Sequence, residues 1–128
     1  MMEPLLFVYG TLRPDHSGPV ARWLRAAARH VGPAVAHGLL YRIADYPGFV
    51  PGPYGDVIGD LFALPDPAAI LARLDDHEEC SDRFPTPHEY RRELRTVITP
   101  VGSATAWVYV YAWDVSGLEP IAGGDFLA

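Results

Sequence analysis

Two short stretches of this chain carry groups whose types and spacing could do chemistry. The first is Leu5-Leu6-Phe7-Val8-Tyr9-Gly10-Thr11-Leu12-Arg13, an apolar run that breaks at Gly10. Glycine lets a backbone take positive φ and come close to a ligand. Successive N–H groups in such a turn form a concavity that suits a small anion. The second is Leu74-Asp75-Asp76-His77-Glu78, which ends in a carboxylate. Together they equip a protein to hold an amino-acid-like head group and to move one proton.

The helix that must position Glu78 is legible around it. Asp66 can cap it, and Pro67 falls at the first helical position, where a missing N–H costs nothing. Ile70, Leu71 and Leu74 lie on one face of a 3.6-residue period, and Glu78 continues that apolar stripe. Asp75 and Glu79 do not. A carboxylate in line with a core face is expected to be partly buried, which raises its pKa. Glutamates tuned this way reach roughly 6–7 and act as general bases near neutral pH. The plainer alternative is a last-turn residue that frays into solvent. For the turn, the plainer alternative is that a buried strand needs a turn and Gly10 supplies it. There is no GxGxxG and no GK[ST], so neither a dinucleotide nor a nucleoside-triphosphate site is indicated.

Composition removes other chemistries. The chain has no lysine, which rules out Schiff-base catalysis. Its five histidines, at 16, 30, 37, 77 and 88, have no metal-ligand spacing, so no metal site is expected. His77 lies about 100° around the helix from Glu78 and should be exposed. No GxSxG elbow is present. The single cysteine, Cys80, excludes an internal disulfide and fits a reducing compartment, hence a cytoplasmic location. A net charge of −6 argues against nucleic acid as a partner. No stretch is long and apolar enough to span a membrane, and Phe7-Val8-Tyr9 reads as strand, not as a signal peptide.

The elements then follow in order. A strand at 4–9 leads to a loop from Pro14 to Gly18 and a helix at about 19–30, with Ser17 as its cap. An extended segment covers 34–43, a Pro/Gly-rich loop 45–55 and a strand 56–64. The Glu78 helix covers 67–78. Strands at 90–99 and 104–113 flank a hairpin turn at Pro100-Val101-Gly102-Ser103. With 128 residues, 49% of them hydrophobic, residues 1–128 read as one domain with a sizeable core. Trp107, Tyr109, Tyr111 and Trp113 alternate along the last strand, and Tyr109 or Tyr111 could line a pocket. Arg91 and Arg92 read as a solvated face, or as partners for an acidic group.

The motifs also occur in the order of a known family. Tyr9-Gly10-Thr11-Leu12-Arg13, Gly38-Leu39-Leu40-Tyr41, Tyr46-Pro47-Gly48, Val57-Ile58-Gly59-Asp60-Leu61-Phe62, Leu74-Asp75-x-x-Glu78, Tyr90-Arg91-Arg92 and Trp107-Val108-Tyr109-Val110-Tyr111 follow one another along the chain. Over roughly residues 4 to 126 this resembles the gamma-glutamylcyclotransferase-like superfamily, including gamma-glutamylamine cyclotransferases and AIG2-like proteins. The resemblance implies an α+β fold, a small mixed β-barrel with flanking short helices. It implies that Tyr9, Gly10, Thr11 and Leu12 bind substrate and that Glu78 is the acid/base. The implied reaction is attack of a γ-glutamyl α-amine on its own γ-carbonyl, giving 5-oxoproline and a free amine, without metal or cofactor. Its terminal segment, Ile121 to Phe126, should pack back on the sheet.

Two features depart from the pattern: Glu79 stands where the family usually has Gly, and Cys80 to His88 looks like an insertion. The alternatives are a non-catalytic AIG2-like binding or interaction module, and hydrolysis to free glutamate. The leaving amine is left open among an amino acid, a lysine side chain and a larger amine such as an aminoglycoside. Oligomeric state is not readable from the sequence.

Overall fold

The computed structural model describes residues 3–14 and 16–127. Five strands form a closed barrel: β1 (Leu5–Val8), β2 (Arg29–Arg42), β3 (Pro47–Ala63), β4 (Tyr90–Thr99) and β5 (Gly102–Tyr111), in the spatial order β1-β3-β2-β4-β5. Helix α1 spans Pro19–Ala27 and helix α2 spans Pro67–His77. The fold is thus α+β, a small mixed β-barrel with short flanking helices.

β1 is the short strand on which the arrangement turns. It pairs antiparallel with β3, from Leu5↔Ala63 to Val8↔Asp60, and parallel with β5 at Leu6↔Trp107. Its apolar run is continuous because both of its faces are covered. Phe7 points into the barrel with Leu40, Phe49, Val57, Val97 and Val108. Leu6 and Val8 point the other way, into a second core with Leu24, Phe62, Ile70, Leu71 and Leu74. That second core is what seats α2. Ile70, Leu71 and Leu74 are its buried residues, and Asp66 Oδ1 accepts the Ala69 N–H at 3.5 Å at its N-cap.

Three sequence expectations change. The segment at 45–55 is not a loop: most of it is the first half of the 17-residue strand β3, pairing from Arg42↔Pro47 to Gly38↔Pro51. Only Gly52–Gly55 lacks a partner, at the register shift between His37 and Gly38. Tertiary pairing overrides a local composition that reads as turn. Ser17 does not cap α1. Gly18 occupies the N-cap without a side-chain bond, and its N–H donates to His16 Nδ1 at 3.0 Å. The helix also stops at Ala27, because β2 is already paired with β3 at Arg29↔Ala63.

The aromatic alternation along β5 holds as far as Tyr111. Ala106, Val108 and Val110 fill the barrel, while Tyr109 and Tyr111 join the outer core. Trp113 lies beyond the strand and is exposed. The C-terminal segment does pack back on the sheet. The Ile121 N–H donates to the Leu40 carbonyl at 2.6 Å, and the Arg42 guanidinium sits 5.2 Å over the Phe126 ring.

Candidate active site

Helix α2 ends in a Schellman motif. The Cys80 N–H reaches the Asp75 carbonyl at 2.9 Å and the Glu79 N–H reaches the Asp76 carbonyl at 3.1 Å. The residue past the cap must then be left-handed, and Glu79 is, with φ 57°. This is why glycine suits that position. A left-handed non-glycine residue costs roughly 1–2 kcal/mol, partly offset by the chain entropy that glycine loses on folding. Glu79→Gly is therefore expected to stabilise the fold by about 0.5–1 kcal/mol. A urea midpoint no higher than wild type would show that Glu79 is not strained.

The motif fixes Glu78 as the C-cap, its N–H donating to the Leu74 carbonyl at 2.8 Å. The side chain is half-buried on the wall of a cavity of about 360 Å³. No hydrogen bond to its carboxylate is formed among the described residues. Burial first, and then the nearby charge of Glu89, push its pKa from 4.5 up to about 7. The apolar stripe thus leads where its spacing predicts.

Tyr9, Gly10, Thr11 and Leu12 line the same cavity. The turn is closed by one bond, from the Arg13 N–H to the Gly10 carbonyl at 3.1 Å. That leaves the N–H groups of Gly10, Thr11 and Leu12 without a backbone acceptor among the described residues. The Tyr9 hydroxyl donates to the Tyr109 carbonyl, and burial, then Glu78, raise its pKa well above 10. It therefore stays a neutral phenol beside the glutamate.

Gly10 earns its place differently from the sequence expectation. Its φ is not positive; instead a Cβ there would lie 2.6 Å from Pro47 Cγ. Close approach to β3, not a left-handed backbone, is the requirement. Arg13 is turned away from the cavity. Its Nε donates to Asp60 Oδ2 at 3.1 Å and its Nη1 to Asp125 Oδ1 at 2.6 Å, pinning the turn to β3 and to the C-terminal segment.

Asp75, one helical turn before Glu78, is occupied structurally. Arg92 grips it with two bonds, at 2.8 and 3.1 Å, and stacks 4.4 Å from the Trp107 ring centroid. The Tyr109 hydroxyl donates to the same carboxylate at 2.8 Å. Of the two tyrosines singled out by alternation, Tyr109 lines the cavity and Tyr111 does not. Of the two arginines, Arg92 meets the acidic partner, whereas Arg91 pairs with Glu93 on its own strand at 3.0 Å. His77 stands at the rim with much of its surface in solvent, and the partial burial of its ring, followed by the charge of Arg73, lowers its pKa.

The comparisons with known proteins bear on this geometry. The sequence model of the family described as "Gamma-glutamyl cyclotransferase, AIG2-like" matches residues 6–128. The chain belongs to that family. It is 37% identical over 122 residues to the "Gamma-glutamylcyclotransferase family protein YtfP" of Escherichia coli K12, covering 95% of each chain. The solution structure of YtfP from Escherichia coli superposes with a TM-score of 0.65 at 35% identity, covering 96% of both chains. A mouse AIG2-like protein shares the fold with a TM-score of 0.75 at 23% identity, covering 98% of this chain and 90% of that one. Among the described residues of this family member, no helix is long and apolar enough to cross a membrane.

Three further cavity residues were not assigned a role from sequence: Tyr46, Glu89 and Tyr90. The Tyr46 hydroxyl donates to Glu89 Oε2 at 2.7 Å, and the Tyr90 hydroxyl donates to the Pro47 carbonyl at 2.7 Å. Tyr46 and Tyr90 fall in family motifs, which was the available signal. Glu89 had none: it precedes β4 without periodicity and reaches the cavity only because β4 begins beside the end of α2.

Proposed function

We propose that this protein is a γ-glutamyl cyclotransferase that converts a γ-glutamyl amine to 5-oxoproline and the free amine. The observation that carries the reading is the pairing, across one cavity, of Glu78 with the free N–H groups of the Tyr9–Leu12 turn. Nucleophile and electrophile belong to one molecule, so the enzyme need only hold the attacking conformer. The turn takes the polar groups of the glutamyl head. Glu78 removes a proton from the α-ammonium, and the freed amine attacks the γ-carbonyl carbon. As the ring C–N bond forms, the bond from that carbon to the leaving nitrogen breaks, and Glu78 returns the proton there. Net, the ammonium gives up two protons and the released amine departs with both. A carboxyl with a pKa of about 7 is matched to taking and returning a proton near neutral pH.

The test is product identity from a panel of γ-glutamyl amines. 5-Oxoproline supports the reading; free glutamate would mean hydrolysis; neither product from any conjugate would leave a binding module. The rate of cyclisation should rise with pH through about 7, because only the Glu78 carboxylate accepts the ammonium proton. A flat profile between pH 5 and 9 would remove Glu78 from the proton path.

A further inference from the structure

The barrel closes least tightly between β2 and β4. A single pair, Val35↔Ile98, joins these strands, whereas β4 and β5 pair from Tyr90↔Tyr111 to Thr99↔Gly102. Residues directly opposite each other on an antiparallel ladder share a face. Arg91 stands opposite Val110, Glu93 opposite Val108 and Arg95 opposite Ala106, and those three partners fill the barrel. Three charged side chains of β4 therefore lie on the face that the rest of the barrel reserves for apolar groups. Water must reach them there, or their burial would be costly.

An open cleft of about 590 Å³ lies at this seam, a volume that suits a small organic ligand. Phe49, Val50 and Pro51 of β3 and Val110 of β5 form its apolar side, and Arg91 and Arg95 stand over it. It shares no lining residue with the cavity of Glu78. In a chain with a net charge of −6, no carboxylate among the described residues lines it.

The two arginines are held in place. Glu93, between them on the strand, accepts Arg91 Nε at 3.0 Å on Oε2 and Arg95 Nε at 3.1 Å on Oε1. Arg95 first, and then Arg91, hold its pKa below the usual 4.5, so it is ionised at neutral pH. Two guanidinium charges against one carboxylate leave one positive charge. Both Nη atoms of Arg91, and Nη1 of Arg95, form no hydrogen bond among the described residues. His37 at the cleft edge faces Asp56, with Nδ1 3.2 Å from Oδ1, so that pair brings no net positive charge.

We propose that this cleft is a second binding site, for a small monocarboxylate with an apolar body. The carboxylate bridges Arg91 and Arg95, whose planar forks match its geometry, and the body lies against Phe49, Val50 and Pro51. One net charge favours a monoanion over a phosphate dianion. The apolar side favours a ligand with a hydrocarbon body over a bare anion such as acetate.

The test is a titration of the protein, followed by its backbone amide NMR signals, with phenylbutyrate, phenylbutyramide, acetate and inorganic phosphate. Phenylbutyrate is expected to shift the amides of Ala36, His37, Val50, Gly52, Arg91 and Thr96. It should bind at least about tenfold more tightly than each of the other three, because a hydrogen bond to a charged group and a buried ring each contribute that much. Arg91→Gln and Arg95→Gln should each weaken it about tenfold. Equal binding of phenylbutyramide would overturn the proposal whether or not the variants fold, and so would phosphate binding as tightly as phenylbutyrate. Shifts confined to Tyr9, Gly10, Thr11 and Leu12, or no saturable shift, would also overturn it.

Discussion

Glu78→Gln is expected to keep the fold and to lower turnover by a factor of about 10²–10⁴, the usual contribution of one positioned general acid–base. The amide is isosteric but cannot accept the ammonium proton. Glu79→Gln changes a neighbour that is off the apolar stripe and should have a much smaller effect. Equal activity of the two variants would exclude Glu78 as the base.

The same substitution reads the desolvation of Glu78 through stability. Its folded pKa of about 7 lies above the unfolded value of 4.5, so the folded state holds this proton more tightly than the unfolded state does. Stability is therefore lost as pH rises from 4.5 through about 7, and the loss is complete above that window. The upper bound on this loss is about 3.5 kcal/mol, since the shift from 4.5 to about 7 is about 2.5 units and one unit corresponds to about 1.4 kcal/mol. Gln cannot titrate, so Glu78→Gln should gain on the wild type between pH 4 and pH 7.5 in paired denaturant titrations. No gain would mean that water solvates Glu78 fully in the cavity.

Arg92→Met is expected to cost about 2–3 kcal/mol of stability. Removing one partner of a fully buried pair costs about 3–5 kcal/mol, and these side chains retain 24% and 20% exposure. The variant strands Asp75 with only the Tyr109 hydroxyl and the Cys80 thiol, whose own pKa is raised to about 12 by burial and by Asp75. Asp75 lies one turn before Glu78, so the loosened helix end should also lower kcat. Adding Asp75→Asn to Arg92→Met should recover part of the stability, because it removes the stranded charge. A single variant as stable as wild type in urea would show that the pair does not hold α2 in place.

Asp75 and Glu78 divide the Leu-Asp-x-x-Glu motif between them. Asp75 anchors the last turn of α2 to β4 and β5, and Glu78 occupies the cavity beyond it. The left-handed Glu79 ends the helix immediately afterwards, which holds Glu78 at the cap.

What the sequence determined by itself was local. The stripe of Ile70, Leu71 and Leu74, the Asp66 cap and Pro67 specify α2 and the direction in which Glu78 points, because helical periodicity is a property of neighbouring residues. The apolar run into Gly10 likewise specifies a buried strand that ends in a turn. Longer-range consequences were decided by the tertiary structure. Gly10 is needed because Pro47 comes from β3, and Arg13 leaves the cavity because Asp60 and Asp125 are brought beside it. The Pro/Gly-rich stretch becomes strand because β2 offers it a ladder. Glu89 enters the cavity because barrel closure sets the start of β4 against the end of α2. No pattern in a single chain segment encodes such a meeting, since it depends on which strands become neighbours and on the register in which they pair.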